Sequence, residues 1–316
     1  MRGDSVSKNL PGAVSSGSNL GTIRRYGPAS PIGRYSWAMY CMKRGFHISA
    51  ALLGIAIIAA GQRGRFPSLG RDDGEEPLPA RNAEFHFLRL QYTDLPQYHR
   101  AWGYSSRDGL GTGWWLMDWP AADNHFTFGI GRLTRIDAGD PRHLRLTDDT
   151  LFDYPWIYAT QTGWWGLTDT ETRRLREYLL RGGFLVVDDF WGPEQWEVFR
   201  QTMNRVFPGQ PITNIAQSDS VMHVLYDIQE KDLTFIPGSR HLRRGPGGTI
   251  EVAQPEGTSP AWRAMYDDHN RMVVAVNFNT DVADAWEFAD VPYYPEKMTT
   301  LAYRYGINYV IYAMTH

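Results

Sequence analysis

The sequence predicts an α/β layered domain on a mainly parallel sheet, and three observations predict it. Apolar runs of strand length alternate with helix-length amphipathic stretches from residue 83 to residue 207. The connections between them are short, as strand–helix–strand units require. One helix carries start and stop signals at both ends, and the strand after it, in "LLRGGFLVVDDFWG" (179–192), ends in two adjacent aspartates, Asp188 and Asp189. In open α/β sheets, loops and helix N-termini converge at the carboxyl ends of the strands, so charge placed there need not be buried.

Taken in order, "AEFHFLRLQY" is a strand through Phe85, Phe87 and Leu88–Leu90, followed by a polar, Gly-rich loop over 93–113. "DWPAADNHFTFGIGRLT" reads as a helix capped by Asp118, with Pro120 in its first turn and Phe126, Ile130 and Leu133 on one face. "YPWIYATQ" is a second buried strand. In "LTDTETRRLREYLLRGG", Thr168 and Glu171 form a capping box, Leu175, Tyr178 and Leu179 an apolar face, and Gly182-Gly183 a stop. "FLVV" is the third strand, and "PEQWEVFRQTMNRVF" a helix opened by Pro193 and ended before Pro208. "AWRAMYDDHNRMVVAVNF" reads as two strands around a polar turn, and "PEKMTTLAYRYGINYVIYAMT" as a closing helix.

The chain has 316 residues, of which 42 % are hydrophobic and 21 % charged. A formal charge of −3 gives no footprint for nucleic acid or anionic lipid. Twelve Trp, 17 Tyr and 14 Phe are many aromatics. The pairs Trp114-Trp115 and Trp164-Trp165, with Trp119 and Trp191, read either as core or as stacking surfaces.

Before the domain, residues 1–41 are rich in Gly, Ser and Arg without apolar periodicity. Lys43 and Arg44, the apolar run 48–60 and the small residues around 59–61 have the pattern of a secretory signal, so 42–61 reads as a signal peptide starting at Met42. Residues 1–41 then read as an untranslated upstream segment. The alternative is an uncleaved anchor or a buried helix. Residues 62–82 read as a Gly/Pro/charge linker and 83–316 as a single domain. The single cysteine, Cys41, falls outside that mature chain, which excludes disulfides, a thiol nucleophile and a cysteinyl lipid anchor there.

The stretches 146–192 (from "LTDDTLFDYPWIYATQTGWWG" to "LVVDDFWG"), "DWPAADNHF", "DSVMHVLYDI" and "VNFNTDVADAWEF" together resemble the bacterial domain-of-unknown-function family 4159, over most of residues 83–316. The resemblance implies a flavodoxin-like three-layer sandwich of the class I glutamine-amidotransferase-like superfamily, with trehalose-utilisation-type proteins as similar relatives. It also implies export or membrane attachment, but no established reaction. Amidotransferases of that superfamily carry a cysteine nucleophile in the turn after the central strand. Here the turn reads Val187-Asp188-Asp189-Phe190-Trp191-Gly192, so glutaminase chemistry is excluded.

Asp188 and Asp189 have three readings: a cap for the helix beginning near Pro193, ligands to a hard cation, or an acid/base pair that could be catalytic. Neighbouring strand residues point to opposite faces, so both reach one ligand only if the strand has ended by Asp188. "NFNTDVADAWEF" adds Asn277, Asn279, Asp281, Asp284 and Glu287, a second set of ligand or metal candidates without the EF-hand spacing; the bland alternative is an elaborate turn. Asp118, Asp123, His125, His99 and His223 show no zinc spacing. "GPGG" (245–248) is a turn, Arg243-Arg244 solvated charge, and neither Ser218 nor Ser220 sits in a nucleophile elbow.

These readings give an expected function: an exported cell-envelope domain that binds a carbohydrate or metal-bridged small molecule. Asp94, Asp188, Asp189, Asn279 and Asp281 would form its crevice, with Trp164 and Trp191 as walls. No cofactor motif is present, and a divalent metal is the one cofactor the carboxylates suggest. The alternatives are a carboxylate- or metal-dependent hydrolase acting on a glycan or other envelope substrate, and an aromatic-rich interaction scaffold. A membrane protein of the envelope is the expected macromolecular partner.

Overall fold

A computed structural model describes residues 82–99 and 113–316. The signal segment, Cys41, the linker up to residue 81 and most of the 93–113 loop lie outside the described residues. The strands are β1 (Phe85–Gln91), β2 (Ala138–Arg145), β3 (Trp156–Thr160), β4 (Phe184–Phe190), β5 (Thr213–Asn214), β6 (Leu242–Arg244), β7 (Ile250–Val252), β8 (Ala261–Tyr266) and β9 (Met272–Phe278). The α-helices are α1 (Ala121–Leu133), α2 (Asp169–Leu180), α3 (Gly192–Val206), α4 (Val282–Glu287) and α5 (Glu296–Thr315).

Seven strands form one sheet in the order β2-β1-β3-β4-β9-β8-β5. From β2 to β9 every pairing is parallel; β8 then runs antiparallel to β9, and β5 antiparallel to β8. The α/β, mainly parallel architecture is therefore the one expected. β3, β4 and β9 are buried along their whole length, as parallel strands covered on both faces must be. Their side chains alternate between two cores. Phe85, Phe87, Trp156, Tyr158, Phe184 and Val186 pack with Phe126 of α1, Trp286 of α4 and Leu301 of α5. Leu88, Leu90, Ile157, Ala159, Leu185 and Val187 pack with Leu175 and Leu179 of α2 and Phe199 and Met203 of α3.

The capping box of α2 forms as expected: the Thr168 hydroxyl accepts from the Glu171 N–H, and the Glu171 carboxylate accepts from the Thr168 N–H at 2.8 Å. Gly182 ends that helix with φ of 107°. The β8–β9 hairpin and the Gly245–Gly248 turn between β6 and β7 also stand where the sequence puts them. Two expectations fail. Asp118 does not cap α1, which begins at Ala121 with no side-chain cap, and Leu133 is exposed. β2 was not foreseen; it is an edge strand, where Pro141 costs no ladder hydrogen bond and polar side chains meet water.

One buried ion pair fixes the loop that leads into α1. Arg89 of β1 and Asp123 of α1 are both fully buried; Arg89 Nε donates to Asp123 Oδ1 at 3.1 Å, and a second bond joins Nη2 to Oδ2. Arg89 Nη1 also donates to the Met117 carbonyl at 2.8 Å, one residue before Asp118. Removing one partner leaves a buried charge alone, so Arg89→Met is expected to cost about 3–5 kcal/mol in urea unfolding. The double variant Arg89→Met/Asp123→Leu is expected to recover most of that loss.

Candidate functional site

A cavity of about 720 Å³ opens at the carboxyl edge of the parallel strands. Its walls include four indoles, Trp114, Trp119, Trp164 and Trp191. Five carboxyl groups face it, Asp118, Asp189, Asp281, Asp284 and Glu287, together with the guanidinium of Arg240. They come from three stretches of chain: the turn before α1, the end of β4, and the β9–α4 connection with α4 itself.

The backbone is forced into this arrangement locally. Asp118, Gln161, Asp189 and Asn279 all have φ between 51° and 62°, a left-handed conformation uncommon outside glycine. Three of them follow or end the strands that feed the crevice. At Asp189 the turn breaks the register of β4 against β9 between Val187 and Phe190. Gly238 leaves room for the acidic groups: a Cβ there would lie 2.5 Å from Asp281 Oδ2 and 3.1 Å from Asp284 Oδ2.

The two adjacent aspartates do different work. Asp188 is fully buried and lies beneath the cavity, where its Oδ2 accepts from the N–H groups of Val282 (2.8 Å) and Ala283 (3.0 Å) and from the Tyr158 hydroxyl (3.0 Å). It therefore tethers the N-terminus of α4, not that of α3. The expected cap at Pro193 is corrected: the N-cap of α3 is Trp191 and has no side-chain cap. Asp188 Oδ1 has no hydrogen-bond partner among the described residues, and burial, then Asp189, push its pKa up to about 8. Asp189 faces the cavity and accepts from Trp191 Nε1 (2.6 Å), Arg240 Nη2 (3.0 Å) and Gln161 Nε2. Burial raises its pKa despite the Arg240 charge.

Asp281 caps α4 by accepting from the Asp284 N–H at 2.9 Å, and Asp284 accepts from the Ser239 N–H at 2.5 Å. Burial and then the neighbouring carboxylates hold Asp281 and Asp118 well above the ordinary carboxyl range. Glu287 reaches about 7 through burial and Asp284. Among the described residues, two groups could hold a metal ion: Asp118, Asp284 and Glu287, and Asp118, Asp189 and Asp281. In each, the oxygens lie within 4.8 Å of one another.

Of the residues singled out from sequence, Trp164, Asp189, Trp191, Asp281, Asp284 and Glu287 meet in this cavity. Besides Asp188, which lies beneath it, three others do not line it. Asp94 lies in a neighbouring depression, where it accepts from the Trp114 N–H and bonds His99 Nδ1 at 3.0 Å. Asn277 is buried against the Tyr309 hydroxyl (3.0 Å). Asn279 accepts from the Gly192 N–H (2.9 Å) and donates to the Ser259 carbonyl (2.8 Å), so it ties loops together. Asp118 and Arg240 were missed as site residues. The first reads as a helix cap, and the second is one arginine of several in a polar loop. His241 also lines the cavity, with burial and Arg240 lowering its pKa to about 4.

Asp188 and Glu287 titrate near 8 and 7 in the folded chain, against about 4 when unfolded. The native state then holds protons that the unfolded state has released, so this stability is full below about pH 4 and is lost as pH rises through 7–8. In EDTA, the melting temperature is expected to fall from pH 5 to 8.5. Asp188→Asn with Glu287→Gln is expected to flatten that fall, measured by calorimetry.

The family model described as Domain of unknown function (DUF4159) matches residues 104–314. The chain has no match among curated proteins. With two thirds of its length matched in this way, the chain belongs to the DUF4159 family.

Proposed function

We propose that the crevice binds a carbohydrate against its indole walls, bridged by a divalent cation that the carboxyl groups hold. The observation that carries this reading is the convergence of five carboxyl groups with one guanidinium inside a cavity walled by four tryptophans. A hard cation binds oxygens at 2.3–2.6 Å, so ligands on opposite sides of it stand at most about 5 Å apart. The 4.8 Å limit on both acidic triads fits that requirement. Indole faces suit the apolar faces of sugar rings, and the cavity has room for more than an ion.

The family's superfamily link enters on the same footing. The parallel strands run β2-β1-β3-β4-β9, the doubly wound order with its switch between β1 and β3, which supports a flavodoxin-like, amidotransferase-like scaffold. In that scaffold Asp189 stands at the left-handed turn between central strand and helix. Export through the segment 42–61, an envelope location and a membrane-protein partner complete the proposal. Among the described residues no helix is long and apolar enough to cross a membrane.

A second reading, a hydrolase acting on an envelope glycan, is favoured by Glu287. A carboxyl poised near 7 suits a general acid or base at neutral pH. The scaffold reading has less support, since the exposed large hydrophobics among the described residues include no tryptophan.

Thermal unfolding of the full chain in EDTA, then with Ca²⁺, Mg²⁺, Mn²⁺ or Zn²⁺, tests the main reading. At about 100 times its dissociation constant, one ion should add roughly 2.7 kcal/mol. Asp118→Asn, which removes the carboxylate common to both groups, should abolish the gain. Trp164→Ala should keep it while losing the further rise expected on adding a disaccharide. A chain that no ion stabilises rejects the cation and leaves the acid/base reading.

A further inference from the structure

Arg240 is the single arginine or lysine lining the crevice among the described residues. Its guanidinium is fixed in place from three sides. Nη2 donates to Asp189 Oδ1 at 3.0 Å, Nε donates to His241 Nε2 at 3.3 Å, and its carbon lies 5.1 Å from the centre of the Trp191 ring. Among the described residues Nη1 has no hydrogen-bond partner, and the side chain is 49 % exposed. His241, its pKa lowered to about 4 by burial and Arg240, adds no second positive charge.

A guanidinium acting only as a counter-ion to these carboxylates would gain most by pairing both arms of its fork. Arg240 instead meets one oxygen of one carboxylate, while Asp281 and Asp284 line the same cavity. Half of its donor edge is left facing open space, and the indole of Trp191 holds its plane. Such an edge is built to receive a planar or tetrahedral oxyanion.

We propose that the crevice's ligand is anionic, with a carboxylate or phosphate oxygen bridging the bound cation and the open Nη1 edge of Arg240. This rests on the cation site proposed above. Without the cation, the surrounding carboxylates repel an anion. With it, protein carboxylates leave coordination positions that an anionic oxygen can fill. Anion and cation binding are therefore positively coupled, each tightening the other by the same factor. A neutral sugar gains nothing from Arg240 beyond an ordinary hydrogen bond.

Calorimetric titration of the full chain with glucuronate, glucose 6-phosphate and glucose, each in EDTA and with the stabilising ion, tests this. Both anions are expected to bind at least tenfold more tightly with the ion than without it, and at least tenfold more tightly than glucose. The tighter of the two anions identifies the oxyanion. Arg240→Gln is expected to erase the preference while keeping the ion-induced rise in melting temperature, and Arg240→Lys to restore part of it. Glucose binding as tightly as the anions, anion binding that ignores the ion, or an unchanged preference in Arg240→Gln would each overturn the proposal while leaving the cation standing. If no ion stabilises the chain, both readings fall together.

Discussion

A carboxylate removed from water must find donors, a cation or a proton, and the carboxyl edge of this sheet is arranged around that demand. Asp188 finds donors in the first turn of α4 and in Tyr158. That tether decides where α4 begins, and α4 with its cap carries Asp281, Asp284 and Glu287. The aspartate buried beneath the cavity thus places three that face it. Asp284 in turn fixes Ser239, the residue before Arg240, so the one positive group of the crevice among the described residues is positioned by the acids it faces.

The crevice needs the chain to turn sharply where strands end, and the left-handed residues supply those turns. Asp189 is the instructive case. In a regular strand, Asp188 and Asp189 would lie on opposite faces and one would be spent on packing. The left-handed turn at Asp189 instead keeps Asp188 under the helix and swings its neighbour into the cavity. Strained positions of this kind persist only where surrounding contacts determine them, as Gln161, Trp191 and Arg240 do here.

What was legible in the sequence was whatever rests on local signals. The Thr168–Glu171 capping box, the glycine stop at 182 and the β8–β9 hairpin are written in adjacent residues and stand as read. Edge strand β2 was not legible, because a polar segment with Pro141 has no strand pattern apart from its neighbour β1. The same divide runs through the site. The acidic pair and the 277–287 stretch stood out as charge beside apolar strands, yet Asn277 and Asn279 turned out to hold loops. Within Trp114-Trp115 and Trp164-Trp165, the second residue is core and the first lines the cavity, a choice made by tertiary packing. Asp118 and Arg240 reach the crevice through loops whose paths no short motif encodes.

Carboxyl groups held above their ordinary range take up protons more readily than free ones, so a cation entering this crevice would compete with protons as well as with water. The raised values and the close approach of the carboxylate oxygens are two expressions of one arrangement, since crowding of negative charge favours whatever positive charge enters. It also explains why Arg240 alone does not neutralise the site. A second fixed cation would satisfy the carboxylates permanently and close them to any ligand. A single arginine, half engaged, leaves the crevice short of positive charge among the described residues, and the proposed cation would supply it.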